Sequence, residues 1–199
     1  MSENIPIRRE EFFLGVAQLA AKRSHCKRAQ VGAVIVLDGR IISTGYNGPP
    51  SGHPHCEIRP MDFENWEPDL ARHYIQRHPH MCRGKDCDIS IHAEANAIVF
   101  AAKNGISLKG AKMFCTMSPC NNCAKLIINS GITTVFYEEE YRDNRPILFL
   151  RGSGINIAQF DEHFDPGLMR RPESNPTPVD QEEFREFMEG VEKQYGSLL

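Results

Sequence analysis

Two short stretches, His92-Ala93-Glu94 and Pro119-Cys120-Asn121-Asn122-Cys123, constrain this chain more than any other feature. Their residue types make chemical sense only if the fold brings the two stretches together. Neutral imidazole and thiolate are zinc ligands, and a catalytic zinc takes three protein ligands and leaves its fourth position to water. His92, Cys120 and Cys123 form such a set. Residues i and i+2 do not share a helical face, so Glu94 points away from the metal and is left to carry protons. Pro119 suits the first turn of a helix, and Cys120 and Cys123, three apart, then fall on one face where both sulfurs reach one ion. The helix macrodipole and the free backbone N–H groups at that end favour thiolates. The alternative is a closed structural zinc knuckle, in which a carboxylate has no place.

The rest of the chain reads as alternating elements. Phe12, Val16, Leu19 and Ala20 recur at helical spacing, which predicts an amphipathic helix over about 9–23 covering one face of a sheet. The β-branched run Val31 to Leu37, the turn Asp38-Gly39 and Arg40 to Gly45 predict an antiparallel strand pair. From Pro49 to about Asp88 periodicity disappears while Pro, His and Cys concentrate, which marks an insertion. Ala93 to Ala102 is a helix apolar nearly all round, closed by Gly105, and must be buried on more than one side. Lys112 to Thr116 reads as a strand, Cys120 to Ser130 as a helix ended by Gly131, and Ile132 to Tyr137 as another strand. A helix over Pro146 to Gly152 and a last strand over Ile155 to Phe160 follow. This alternation implies an α/β layered fold. Beyond Asp161 prolines interrupt the chain, and an acidic helix runs from Asp180 towards Glu192. The domain organisation expected is one unit over 1–160 with its insertion at about 49–88, followed by an acidic extension over 161–199.

Composition narrows the function. A chain of 199 residues, 41% hydrophobic and 25% charged, suits one globular domain with an appendage. A formal net charge of -3 argues against general binding to a nucleic-acid backbone and favours a small substrate. Met1 to Arg9 has no apolar signal core and no apolar run is long enough to span a bilayer, so a cytoplasmic protein is expected. The seven cysteines then read as metal ligands or buried thiols.

An H-x-E followed by P-C-x-x-C, with a glutamate that is not a ligand, matches the signature of zinc-dependent nucleobase deaminases at every fixed position. Gly45-Tyr46-Asn47-Gly48, Asn96 and Tyr141 extend the likeness, and over roughly residues 9–160 the chain resembles the deoxycytidylate (dCMP) deaminases of the cytidine deaminase superfamily. The resemblance implies a three-layer cytidine deaminase-like fold with a five-stranded mixed sheet between helices. It implies conversion of dCMP to dUMP and ammonia, supplying the thymidylate precursor. It also implies Asn47, Ser118 and Tyr141 as substrate contacts. A hexamer is implied too, activated by dCTP and inhibited by dTTP through a site around Gly45, Tyr46, Asn47 and Gly48, with Phe100 and Lys103 at interface positions. The long stretch between Gly52 and His92 and the acidic tail depart from that family's pattern.

The chemistry expected of the motifs is hydrolytic. Zinc lowers the pKa of bound water from about 15.7 to about 7, on the order of 12 kcal/mol at roughly 1.36 kcal/mol per unit. Glu94 then takes the proton of the water attacking C4 and delivers it to N3 and to the departing amino group, worth about a hundred to ten-thousandfold. For the outer contacts other readings stand beside these. Asn47 at a strand end is as often a turn former as a ligand. Tyr141 can cap the sheet or lie near a substrate phosphate, and Arg142 and Arg145 are neighbouring cations. Cys115, Met113 and Phe114 read as core. Rival functions are deamination of dCTP, cytidine, guanine or a tRNA adenosine, and, in another class, a catalytically silent zinc scaffold.

Cys26, Cys56, Cys82 and Cys87 remain, and four thiolates make a closed tetrahedral set for a second, structural zinc. Such an ion pins both ends of the insertion, which has too little apolar content to offset its ordering entropy by burial. Members of the resembling family carry a second zinc in this region. The other reading is unconnected reduced thiols, and His25, His53, His55 and His80 are alternative ligands.

Overall fold

The computed structural model describes residues 6–26, 28–53, 67–70, 72, 89–161, 185, 186, 189 and 193. In chain order its elements are α1 (Arg9–Ala21), β1 (Gly32–Leu37), β2 (Arg40–Tyr46), α2 (Ala93–Lys103), β3 (Lys112–Met117), α3 (Asn121–Ser130), β4 (Thr134–Glu139), α4 (Arg145–Gly152) and β5 (Asn156–Gln159). The strands form one five-stranded mixed sheet in the order β2-β1-β3-β4-β5. β1 is antiparallel to β2 and β3, whereas β3, β4 and β5 run parallel. Parallel neighbours need a crossover, and α3 and α4 supply the two that this order requires. The β1–β2 hairpin turns at Asp38 and Gly39 with φ of 50° and 73°, the pair of positive values that a two-residue turn of this twist demands.

Strand alternation divides the core in two. Ala33, Ile35, Met113, Cys115, Val135 and Tyr137 face α2, α3 and α4 on one side. Val34, Val36, Phe114 and Phe136 face α1 on the other. Ring contacts continue this second layer, Phe13 on Phe114 at 5.1 Å and Phe114 stacked on Phe136 at 4.7 Å between centroids.

Three expectations need correction. The face of α1 that meets the sheet is Phe13, Leu14, Ala17 and Ala21, and Phe12 and Leu19 of the expected stripe stay outside. The helix carries two apolar stripes, and the one containing Ala17 wins because only small groups permit so close an approach: a Cβ on Gly32 would lie 1.9 Å from the Ala17 carbonyl oxygen. The second correction concerns α2, which buries Ala93, Ala97 and Ala101 on one side while Val99 and Phe100 remain 57% and 51% exposed. The third is that Pro119 precedes the helix, with Cys120 as its N-cap.

Most of the expected insertion, and Cys56, Cys82 and Cys87 with it, lies outside the described residues. Of the expected acidic helix, Arg185, Glu186, Glu189 and Lys193 are described, helical and exposed, and Arg185 pairs with Glu189 at 3.9 Å. Among the described residues no helix is long and apolar enough to cross a membrane.

Candidate active site

The site is built where the N-termini of α2 and α3 meet. His92 is the N-cap of α2 and Cys120 the N-cap of α3, and neither helix start has a side-chain capping bond. An N-cap residue has extended backbone while its neighbours' N–H groups lack partners, so both helices turn their positive dipole ends towards this point. Cys123 follows one turn into α3 and is buried. His92 Nδ1 lies 3.3 Å from Cys120 Sγ and 3.6 Å from Cys123 Sγ, and the three ligand atoms all lie within 4.8 Å of one another. Nitrogen at about 2.0–2.1 Å and sulfur at about 2.3 Å around a tetrahedral ion stand roughly 3.5 Å apart. The donor set therefore fits zinc in both chemistry and spacing, with a fourth direction left for a small molecule.

The titration of this cluster is that of a ligand set. The Cys120 thiol is lowered to about 3, chiefly by the hydrogen bond from Cys123 and against the effect of burial, with His92 adding to it. Cys123 is pushed up by the same hydrogen bond and by burial, so the pair shares one proton. His92 is raised by its hydrogen bond to Cys120. A divalent cation replaces these protons, since zinc binds thiolate and neutral imidazole.

Glu94 is 3% exposed at the start of α2, and burial raises its carboxyl to about 7, with its own backbone N–H and His92 opposing. A carboxyl poised near neutrality can both accept and return a proton.

Two alignments hold α2 so that its first turn reaches this point. Ser43 Oγ donates to the Ala97 carbonyl at 2.6 Å, and Asn96 Nδ2 donates to the Tyr46 carbonyl at 2.7 Å. Gly48 and Ile91 exchange two backbone hydrogen bonds at 3.1 and 2.8 Å, which aims the chain into His92.

The ligands and Glu94 line a cavity of about 630 Å³ that Asn47, Ser118, Tyr141, Asp143 and Leu126 also border. Asn47 is buried and largely committed to structure: Nδ2 donates to the Ala29 carbonyl at 2.9 Å and Oδ1 accepts from the Val31 N–H at 2.8 Å. It is thus a long-range anchor for the connector before β1 and a wall of the cavity. Ser118 Oγ accepts from the Tyr141 N–H at 2.8 Å, joining the loop after β4 to the loop that carries Cys120. Arg145 is turned onto Asp143, with Nη2 2.7 Å from Oδ2. Phe100 and Lys103 lie towards the exposed end of α2, away from these lining residues.

Sequence reasoning missed Arg28, which lines the cavity, and did not place Cys26 there. No local pattern marks either residue. Both belong to the connector that Asn47 anchors from across the fold, and that anchoring is a long-range event.

A mixed five-stranded sheet whose edge strand β2 positions α2 and whose parallel half carries α3, so that two helix N-termini meet at a His/Cys/Cys set beside a buried glutamate, defines a zinc-binding hydrolytic site. Residues 7–139 match the family described as the cytidine and deoxycytidylate deaminase zinc-binding region, and the chain belongs to that family. The deoxycytidylate deaminase of Enterobacteria phage T2 is 41% identical over 166 residues, 72% of this chain and 88% of the relative. The human deoxycytidylate deaminase is 38% identical over 156 residues, 75% of this chain and 78% of the relative. The crystal structure of dCMP deaminase from the cyanophage S-TIM5 in complex with dCMP and dUMP superposes with a TM-score of 0.62 at 32% identity, over 79% of this chain and all of that one.

Proposed function

We propose that the protein deaminates dCMP to dUMP and ammonia in a zinc-dependent reaction. The observation that carries this reading is the buried Glu94 beside a three-ligand set at the wall of a cavity of nucleotide size. His92, Cys120 and Cys123 would hold the zinc, which when bound would supply a water acidified towards neutrality. Glu94 would accept a proton from the water that attacks C4, deliver it to N3, and pass the second proton to the amino group, which would leave as ammonia. Asn47 and Ser118 border the sugar side. Arg28 and Tyr141 give the cavity a cation and a phenol suited to a phosphate. The relatives named as deoxycytidylate deaminases, and the cyanophage enzyme holding dCMP and dUMP, support the monophosphate.

The finer expectations belong to the same proposal. The chain is a deaminase domain over 1–160 with an acidic extension, acting in the cytoplasm, where thiol ligands stay reduced. A second zinc is held by Cys26, Cys56, Cys82 and Cys87; of these Cys26 is half-buried at the cavity. The enzyme is a hexamer that dCTP activates and dTTP inhibits around Gly45 to Gly48, and coupling requires that substrate analogue tighten the activator in return. The half-exposed Val99 and Phe100 support an interface on α2. Nucleic acid and membrane are not partners in this reading.

The test is ammonia release from dCMP, CMP, deoxycytidine, dCTP and adenosine under one set of conditions. Turnover led by dCMP is expected. Preference for any other member overturns the substrate, and silence on all five overturns the enzyme.

A further inference from the structure

Tyr141 does not stand alone at the cavity wall. Arg142 Nη2 donates to the Tyr141 hydroxyl at 2.9 Å, and the guanidinium carbon lies 5.2 Å from the centre of the same ring. One arginine thus meets its sequence neighbour twice, by a hydrogen bond to the hydroxyl and by its charge near the ring. The backbone side is fixed as well, because the Tyr141 N–H is bound to the buried Ser118 hydroxyl at 2.8 Å. The ring consequently has little freedom to leave the cavity.

The direction of the hydroxyl bond matters most. Because the phenol oxygen accepts from Arg142, its own hydrogen is turned elsewhere, and among the described residues that hydrogen meets no acceptor. A donor of this kind, at the wall of a cavity and polarised by a cation on its oxygen, is suited to an anionic oxygen. Of the other arginine on this loop, Arg145, the guanidinium is engaged by both oxygens of Asp143.

We propose that Arg142 is a positioning residue for substrate specificity: it orients and polarises the Tyr141 hydroxyl so that this enzyme selects a 5′-monophosphate over the free nucleoside. The inference rests on the assignment of dCMP as substrate. Arg142 acts through Tyr141 and contributes to ground-state and transition-state binding alike, because the phosphate does not change during the reaction.

The experiment measures kcat and KM for dCMP and deoxycytidine in wild type, Arg142→Met, Arg142→Lys, Tyr141→Phe and the double variant Arg142→Met/Tyr141→Phe. Arg142→Met is expected to raise KM for dCMP about tenfold with kcat within about twofold, the loss of one hydrogen bond to a charged group. Deoxycytidine kinetics should not move. Arg142→Lys should recover only part of the loss, since a shorter ammonium keeps the charge but not the guanidinium geometry that reaches hydroxyl and ring together. In the Tyr141→Phe background, Arg142→Met should add less than about twofold, because its route has already been removed. A full tenfold effect in that background overturns the inference, as does an equal loss on deoxycytidine. If wild type turns over deoxycytidine as well as dCMP, the substrate assignment itself has failed, and that result is read before any variant is made.

Discussion

A Cβ on Gly45 would lie 2.2 Å from the carbonyl oxygen of Ala93, so β2 and the first turn of α2 touch backbone to backbone. That contact sets how deep the helix sits, and the residues on either side of Ala93 are His92 and Glu94. Gly45→Ala is therefore expected to do more than loosen packing. Overpacking against backbone costs about 1–3 kcal/mol or more, a fall in melting temperature of roughly 2–12 °C for a chain of this size. The folded fraction should also hold zinc more weakly than wild type. Thermal melts of metal-loaded and chelator-treated protein check both points, and an unchanged metal affinity would show that helix depth does not set the ligand geometry.

In the proposed reaction Glu94 carries protons and holds no metal. Glu94→Gln keeps the size and a hydrogen-bonding amide, and it removes a buried ionisable group from the site. Zinc content and melting temperature should stay near wild type while kcat falls by at least about a hundredfold to ten-thousandfold. Metal analysis beside an ammonia assay decides this, and a variant that loses zinc and activity together would make the carboxylate a ligand.

Much of this site was legible because its information is local. The Asp38-Gly39 turn, the end of α3 at Gly131 and the paired motifs each announce themselves within a few residues. The face of α1 was not legible, since Phe12, Val16 and Leu19 have the same spacing as a core stripe. The choice was made by Gly32 and Ala17, which meet only after folding. Asn47 belongs to the same class: a strand-end asparagine looks like a turn former or a ligand, and its bonds to Ala29 and Val31 instead make it a long-range anchor that also borders the cavity. Pro119 has the residue type of a first helical turn yet precedes the helix, because Cys120 takes the cap position. The ligand set survives that shift, since N-cap and N3 also stand on one side of the helix start.

His92→Ala and Cys120→Ala should each lose the site's metal and all turnover. Removing either partner leaves the buried Cys123 sulfur with fewer of its contacts, so stability should fall as well. If the proposed second zinc exists, wild type holds close to two ions per chain and Cys120→Ala retains one. Total metal measured on both proteins separates the cases: a wild-type count near one, falling to none in the variant, leaves no second ion.

Phe100 is 51% exposed and Val99 57%, on a helix whose other side is packed with Ala93, Ala97 and Ala101. Two large apolar side chains half in water beside each other contribute nothing to the folded monomer, and covering them against another copy removes that surface from water at about 25 cal/mol per Å². A charge placed there opposes association without touching the core. Phe100→Glu is therefore expected to keep the melting behaviour of the isolated chain and to shift the mass in solution from a multimer towards the 22.5 kDa of one chain. Sedimentation equilibrium over a range of concentrations reads this directly, and kinetics with dCTP and dTTP on the same samples show whether response to effectors disappears with the assembly. A wild type that sediments at the mass of one chain, with hyperbolic kinetics indifferent to both nucleotides, would remove the interface and the regulation together.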